Sequence, residues 1–151
     1  MYQIEATFTL DPAGDYSSGI YVRYNPTESL YGTERSAIKF RNNEVYVDRT
    51  ASTVLLYPEK RDTWHYPTDA REFNVRILVD RSLLEVYVND IATFTTRIYP
   101  KYGDSDYISL FDDNGNMRIT KFKVTQMKGC YKDEVVPAYY GNVGNLADLG
   151  V

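Results

Sequence analysis

Apolar and polar residues alternate with a period of two through most of residues 2 to 127, the mark of strands that bury one face and wet the other. Residues 2 to 10 place Ile4, Ala6, Phe8 and Leu10 on one side and Gln3, Glu5, Thr7 and Thr9 on the other, so a half-buried strand is expected up to Asp11-Pro12-Ala13-Gly14. Gly19 to Asn25 repeats the pattern with Ile20, Val22 and Tyr24 inward and Tyr21 and Arg23 outward, and Pro26 should stop it. Glu28 to Arg35 reads as a polar loop. Ser36–Arg41 and Glu44–Arg49 flank Asn42-Asn43, residues that tolerate positive φ, and predict a tight hairpin with Ile38 and Phe40 beside Val45 and Val47. Leu55 to Arg71 has two prolines, Trp64, His65 and several charges without clear periodicity, and reads as a long connection between sheets.

Arg76 to Pro100 carries the strongest signal. Three apolar runs broken by Asp-Arg-Ser and Asn-Asp predict a three-stranded antiparallel meander, because breaks so short allow only hairpin returns. Val75, Ile77 and Val79 alternate with Arg76 and Leu78, and Leu84, Val86 and Val88 with Leu83, Glu85 and Tyr87. Tyr107–Phe111 is then a short strand, Asp112 to Asn116 a turn, and Met117–Met127 a last strand with Phe122 and Val124 inward. About nine strands without a useful helical period predict an all-β fold, a two-sheet antiparallel β-sandwich of the lectin-like jelly-roll kind, over residues 1–127. Residues 128–151, with Lys132-Asp133-Glu134 and Tyr139-Tyr140-Gly141, read as an edge segment and a C-terminal tail.

Composition supports one β domain and removes several functions. A chain of 151 residues can bury roughly two-thirds of its unfolded surface, and its 15 Tyr, 6 Phe and 1 Trp favour strands. A net charge of −4 with mixed signs offers no basic stripe, so a nucleic-acid partner is not expected. No apolar run reaches the roughly 20 residues of a membrane span, and Met-Tyr-Gln-Ile-Glu opens a strand rather than a leader, so no membrane partner is expected. A lone Cys130 excludes an internal disulfide and reads as an inert thiol, and a lone His65 leaves most triads and zinc sites without members, so no cofactor or metal is expected. Few cysteines suit secreted and cytosolic proteins equally.

The meander also resembles a known family. Val-Asp-Arg-Ser, then Leu-Glu-Val-Tyr-Val-Asn-Asp and Thr-Thr-Arg-Ile-Tyr-Pro, is similar to the C-terminal β-sandwich of glycoside hydrolase family 32, the fructan hydrolases and invertases. Asp48-Arg49-Thr50-Ala51-Ser52 resembles the Asp-Arg-x-x-Ser segment of that sandwich, and the likeness covers roughly residues 2 to 127. The fructan-binding carbohydrate-binding module family 66 is related to the same sandwich. The family's catalytic carboxylates sit in Trp-Met-Asn-Asp-Pro-Asn-Gly, Arg-Asp-Pro and Glu-Cys motifs of a separate five-bladed propeller, and none of these occurs here. The resemblance therefore implies a non-catalytic accessory domain, extracellular and secreted with its parent enzyme, whose partners are a catalytic propeller and a fructan polysaccharide or terminal fructose.

Candidate sugar-binding residues are Arg23, Trp64, Arg81, Glu85 and Tyr87. Glu85 stands mid-strand, where an acid is unfavourable unless its face is open or paired; sheet-face sugar binding and a buried pair with Arg23 or Arg76 both explain it. Asp48, Arg49 and Asp80-Arg81-Ser82 either grip hydroxyls or form an ion-paired turn network. Trp64 and Tyr87, with Tyr21, Tyr99, Tyr102 and Tyr107, offer flat faces to sugar rings or simply pack. Asp112, Asp113, Asn114 and Asn116 imitate a calcium loop, but Gly115 is one position early and no bidentate Glu follows, so a hairpin turn is the better reading. With 21 acidic residues some carboxylate pair will have glycosidase spacing by chance, so an independent hydrolase has little support. Two readings remain: fructose recognition, or a structural sandwich that stabilises or dimerises a propeller.

Overall fold

The structure, a computed structural model, describes residues 1–11, 17–29, 32–52, 61–67 and 69–128. It contains ten strands: β1 (Tyr2–Leu10), β2 (Ser18–Ser29), β3 (Gly32–Arg41), β4 (Glu44–Asp48), β5 (Arg61–His65), β6 (Glu72–Asp80), β7 (Leu83–Val88), β8 (Ala92–Arg97), β9 (Tyr107–Asp112) and β10 (Met117–Gln126). They form two five-stranded antiparallel sheets, β10-β1-β6-β7-β8 and β5-β4-β3-β2-β9, stacked as a β-sandwich. The tail expected over residues 128–151 and the thiol of Cys130 lie outside the described residues beyond Lys128.

Period-two patterning does most of the folding work. Ile4, Phe8, Ile77, Leu84 and Val86 of the first sheet and Ile20, Ile38, Phe40, Val45 and Val47 of the second are essentially sealed from water. Each such side chain contributes roughly 1.5–3 kcal/mol of burial. At the centre Phe8 stacks on Phe73 at 5.2 Å and meets Phe40 edge-on at 5.0 Å, tying the sheets together. The meander is β6–β7–β8, and Arg81-Ser82 closes its first hairpin with Arg81 at φ 52.

Three sequence expectations change. Glu28–Arg35 is not a loop throughout, since β2 runs past Pro26, which was expected to stop it, to Ser29, and β3 starts at Gly32; an acid at the inward position 34 disguised the strand. Glu34 turns inward at 4 % exposure and accepts hydrogen bonds from Lys101 N, Tyr102 N and Ser105 Oγ, fixing the segment before β9. The Leu55–Arg71 connection contains β5, which pairs with β4 in the register Val45↔Trp64 and Val47↔Asp62. Its inward positions are therefore Asp62 and Trp64, and an acid in an apolar slot breaks the alternation that would have announced a strand. In β2, the expected inward Tyr24 is displaced: Arg23 has φ 48, the ladder shifts between Val22 and Asn25, and Asn25 becomes the buried residue.

The two edges of the sandwich differ. Where β5 lies over β8, Trp64 stacks on Phe94 at 4.2 Å with 13° between the rings. Beside them the Arg49 guanidinium bonds Asp62 Oδ2 at 2.9 Å, Arg97 O at 2.8 Å and Thr96 Oγ1 at 3.1 Å, and Thr96 donates to Asp62 at 2.6 Å. The Asp-Arg-x-x-Ser segment is thus a structural clip: Asp48 Oδ1 accepts from Thr50 N and Oγ1, Ser52 N bonds Arg49 O, and Arg49 is aimed between the sheets. At the opposite edge, Phe122 and Val124 pair with Ala6 and Ile4 and so point to the interior side, as expected, yet they are 39 % and 45 % exposed.

Candidate functional site

The outer face of the first sheet carries the site. Residues paired across a ladder share a face, so the register Lys123↔Glu5↔Arg76↔Tyr87 sets one polar row across four strands. The next rows are Gln3↔Leu78↔Glu85 and Lys121↔Thr7↔Asn74. Glu5, Thr7, Asn74, Arg76, Tyr87, Asp90 and Lys121 line a groove of about 230 Å³ there.

Each side chain is held in place. The Arg76 guanidinium lies 4.4 Å over the Tyr87 ring, a cation–π contact that keeps both upright on the sheet. Tyr87 OH donates to Glu85 Oε2 at 3.2 Å, so the mid-strand acid is satisfied by a phenol beside it on an open face. Lys121 and Lys123 reach the two oxygens of Glu5 at 3.6 and 3.8 Å, and Thr7 Oγ1 donates to Asn74 Oδ1 at 2.9 Å. The turn after β7 forms the end wall: Asn89 Oδ1 accepts from Asn74 N at 2.7 Å and Asn89 Nδ2 donates to Glu72 O at 3.0 Å. Asn89 and Asp90 both adopt positive φ, at 51° and 54°, which Asn and Asp tolerate better than other side chains and which swings Asp90 toward the groove. The result is a shallow surface of alternating guanidinium, ammonium, amide and carboxylate groups, suited to vicinal hydroxyls that donate and accept at once.

The five residues singled out from the sequence do not converge. Glu85 and Tyr87 share this face, while Arg81 sits in the turn at the far end of the β6–β7 hairpin from Asp90. Arg23 belongs to the second sheet, where it makes a close ion pair with Asp106 and its side chain is 14 % exposed. Trp64 has one face on Phe94 at the closed edge. Glu5, Thr7, Asn74, Asp90 and Lys121 were not picked out, and Arg76 only as a partner for Glu85. Their outward positions follow from the alternation, but nothing local says that β1 pairs with both β6 and β10.

The Asp112–Asn116 turn uses its acid internally. Asp112 accepts from Ser18 Oγ at 2.7 Å and from Asn116 N and Met117 N at 2.9 Å each. Partial burial works against the charge, but bonds from Met117, Ser18, Asn116 and Gly115 prevail and hold its carboxyl below the ordinary carboxylate range. Burial is also the main reason the Tyr2 and Tyr66 phenols are raised; charge from Asp69 and Glu44 adds to the effect at Tyr66, whose hydroxyl donates to Arg41 O at 2.8 Å.

Residues 1–126 match the family described as glycosyl hydrolases family 32, C terminal. Among curated proteins, a levanase from Bacillus sp. (strain L7) is 26 % identical over 138 residues, covering 88 % of this chain and 14 % of its own length. A raffinose invertase from Escherichia coli is 38 % identical over 82 residues, covering 50 % of this chain and 17 % of its own. The fold resembles that of Aspergillus kawachii β-fructofuranosidase complexed with glycerol, with a TM-score of 0.65 and 20 % identity over 86 % of this chain and 24 % of that one. It also resembles fructan 1-exohydrolase IIa from Cichorium intybus, with a TM-score of 0.64 and 21 % identity over 84 % of this chain and 31 % of that one. The chain thus spans under a third of each of these relatives.

Proposed function

The chain belongs to glycosyl hydrolase family 32 as a C-terminal β-sandwich domain, and on that premise we propose that it recognises fructose units of a fructan, levan or inulin, through the groove on the outer face of its first sheet. The observation that carries this reading is the Glu5–Arg76–Tyr87 row with Lys121, Asn74 and Asp90 beside it, a groove lined by donors and acceptors on the face of the sheet. The sandwich itself breaks no glycosidic bond; it holds a linked catalytic domain near its polymer and so raises the local substrate concentration, outside the cell where the polymer is found. A shallow polar site of this kind loses much of its hydrogen-bond energy to desolvation, so each site should bind weakly, on the order of 0.1–1 mM.

Calorimetry of the chain with levan, inulin and fructose tests it. Saturable heat without released sugar is expected, reduced at least about fivefold in affinity by Arg76→Ala, a loss of roughly 1 kcal/mol. Absence of heat with all three ligands would sink the proposal.

A second reading is favoured by the small share of each relative that the chain spans: a sandwich that stabilises or dimerises a catalytic propeller without touching sugar. Under that reading the Arg76→Ala change leaves sugar titrations and propeller stability alike untouched.

A further inference from the structure

The turn at the end of the groove leaves the sheet earlier than the strand register requires. Continued from Val75↔Val88, that register would pair Asn74 with Asn89 and Glu72 with Ile91, each pair exchanging main-chain bonds. Asn89 N does donate to Asn74 O, at 2.9 Å. The two bonds that should follow come instead from the Asn89 side chain: its Oδ1 accepts from Asn74 N at 2.7 Å, and its Nδ2 donates to Glu72 O at 3.0 Å. One side-chain amide thus stands in for the carbonyl of residue 89 and the N–H of residue 91, while Ile91 N turns back to Val88 O at 3.0 Å. With β6 satisfied in this way, the main chain is released from the ladder at Asn89 and Asp90, both at positive φ, and Asp90 lines the groove.

The other polar groups of the groove are largely committed to one another. Glu5 faces Lys121 and Lys123, Thr7 Oγ1 donates to Asn74 Oδ1, and Tyr87 OH donates to Glu85. Asp90 is exposed, and among the described residues its carboxylate has neither an ion pair nor a hydrogen bond. The Arg76 guanidinium meets the Tyr87 ring but no carboxylate among them, and Asn74 Nδ2 has no acceptor among them. An acid and a guanidinium therefore share one groove without neutralising each other. Resting on the fructose reading above, we propose that Asp90 is the specificity-determining acceptor of this groove and that Asn89 is the residue that positions it. Asp90 takes the hydroxyl hydrogens of a sugar ring whose oxygens accept from Arg76 and Asn74 Nδ2, because a hydroxyl donates and accepts at once and so bridges groups that stand apart. The arrangement selects a neutral polyol: an anion meets repulsion at Asp90, and an ether oxygen brings no hydrogen for it to accept.

Titration of the full chain with levan oligosaccharides, followed by amide chemical shifts, tests this in the wild type, Asp90→Asn, Asn89→Gly and the double variant. Both substitutions suit positive φ, so the turn itself is kept. Asp90→Asn should weaken binding about tenfold, as expected for loss of a charged acceptor. Asn89→Gly should weaken it about fivefold and speed exchange of the Asn74 amide about tenfold. The double variant should bind within about twofold of Asp90→Asn, because Asn89 acts through Asp90. Faster Asn74 exchange with unchanged affinity in Asn89→Gly would overturn the positioning role. Wild-type binding that Asp90→Asn leaves intact would overturn the assignment of Asp90 while the fructose reading stands, whereas absence of binding by the wild type would overturn both.

Discussion

The two open ends of the sandwich solve the same problem differently. At the β5/β8 edge, where neighbouring sheets must be sealed by side chains alone, an indole stacks on Phe94 and one guanidinium serves Asp62, Thr96 and the Arg97 carbonyl at once. At the β9/β10 edge the apolar side chains point the right way but Leu110, Ile119, Phe122 and Val124 remain 37 to 45 % exposed. The difference teaches that a strand's inward pattern specifies which face is meant to be covered, while the cover itself is a separate element. The closed edge spends polar groups to fix register between sheets, and the open edge keeps its apolar area for something that arrives later in the chain or from another domain.

The sharpest way to break the contrast is Arg49→Ala. It leaves Asp62 without its cation in a partly buried slot, and about 3 kcal/mol of stability should be lost in urea unfolding, near the lower end for a broken buried pair. A loss under about 0.5 kcal/mol would mean that the closed edge is closed by packing alone. Gly19→Ala comes next, at about 2 kcal/mol, because the added methyl would meet the Ile38 carbonyl oxygen at 2.1 Å and the Phe111 ring at 2.8 Å. It sits beside β9, so it asks whether the open edge tolerates displacement of its own strand. Val124→Thr, at an inward but half-exposed position of the open edge, should cost under about 1 kcal/mol, far less than a like change at sealed Ile4 or Val86.

The smallest expected effect is a pH signature at the turn that joins the two open strands. Asp112 has a folded pKa below its ordinary value, so its contribution is present above the ordinary carboxylate range and disappears as pH falls through that range toward the lowered folded value. Stability of the wild type should therefore drop more steeply than that of Asp112→Asn as acid is added below about pH 4. Parallel acid curves would show that the bonds from Ser18, Asn116 and Met117 do not discriminate the charged form.

Much of this was legible in the sequence, and the exceptions have physical causes. The meander and β1 were readable because their inward positions are apolar save Thr96 at the end of β8, and the hairpins because their breaks are too short for anything else. β5 was hidden because its two inward positions hold Asp62 and Trp64, a pair that makes sense only once Arg49 is seen to arrive from the end of β4. The continuation of β2 was hidden by a bulge at Arg23, where a non-glycine residue holds positive φ and shifts the register. Glu85 was recognisable as an outward acid that needed an open face or a partner, and it has a half-open face and Tyr87. The groove beyond Tyr87 on the same face was not, because Glu5, Asn74 and Lys121 meet only through pairings between distant parts of the chain.

The most direct test of the central claim, that the outer face of the first sheet is where a fructan is held, is an amide chemical-shift titration of the labelled chain with levan oligosaccharides. Shifts should concentrate at Glu5, Thr7, Asn74, Arg76, Tyr87 and Asp90, with β3 and β4 silent. Shifts confined to the second sheet, or none at saturating sugar, would contradict it.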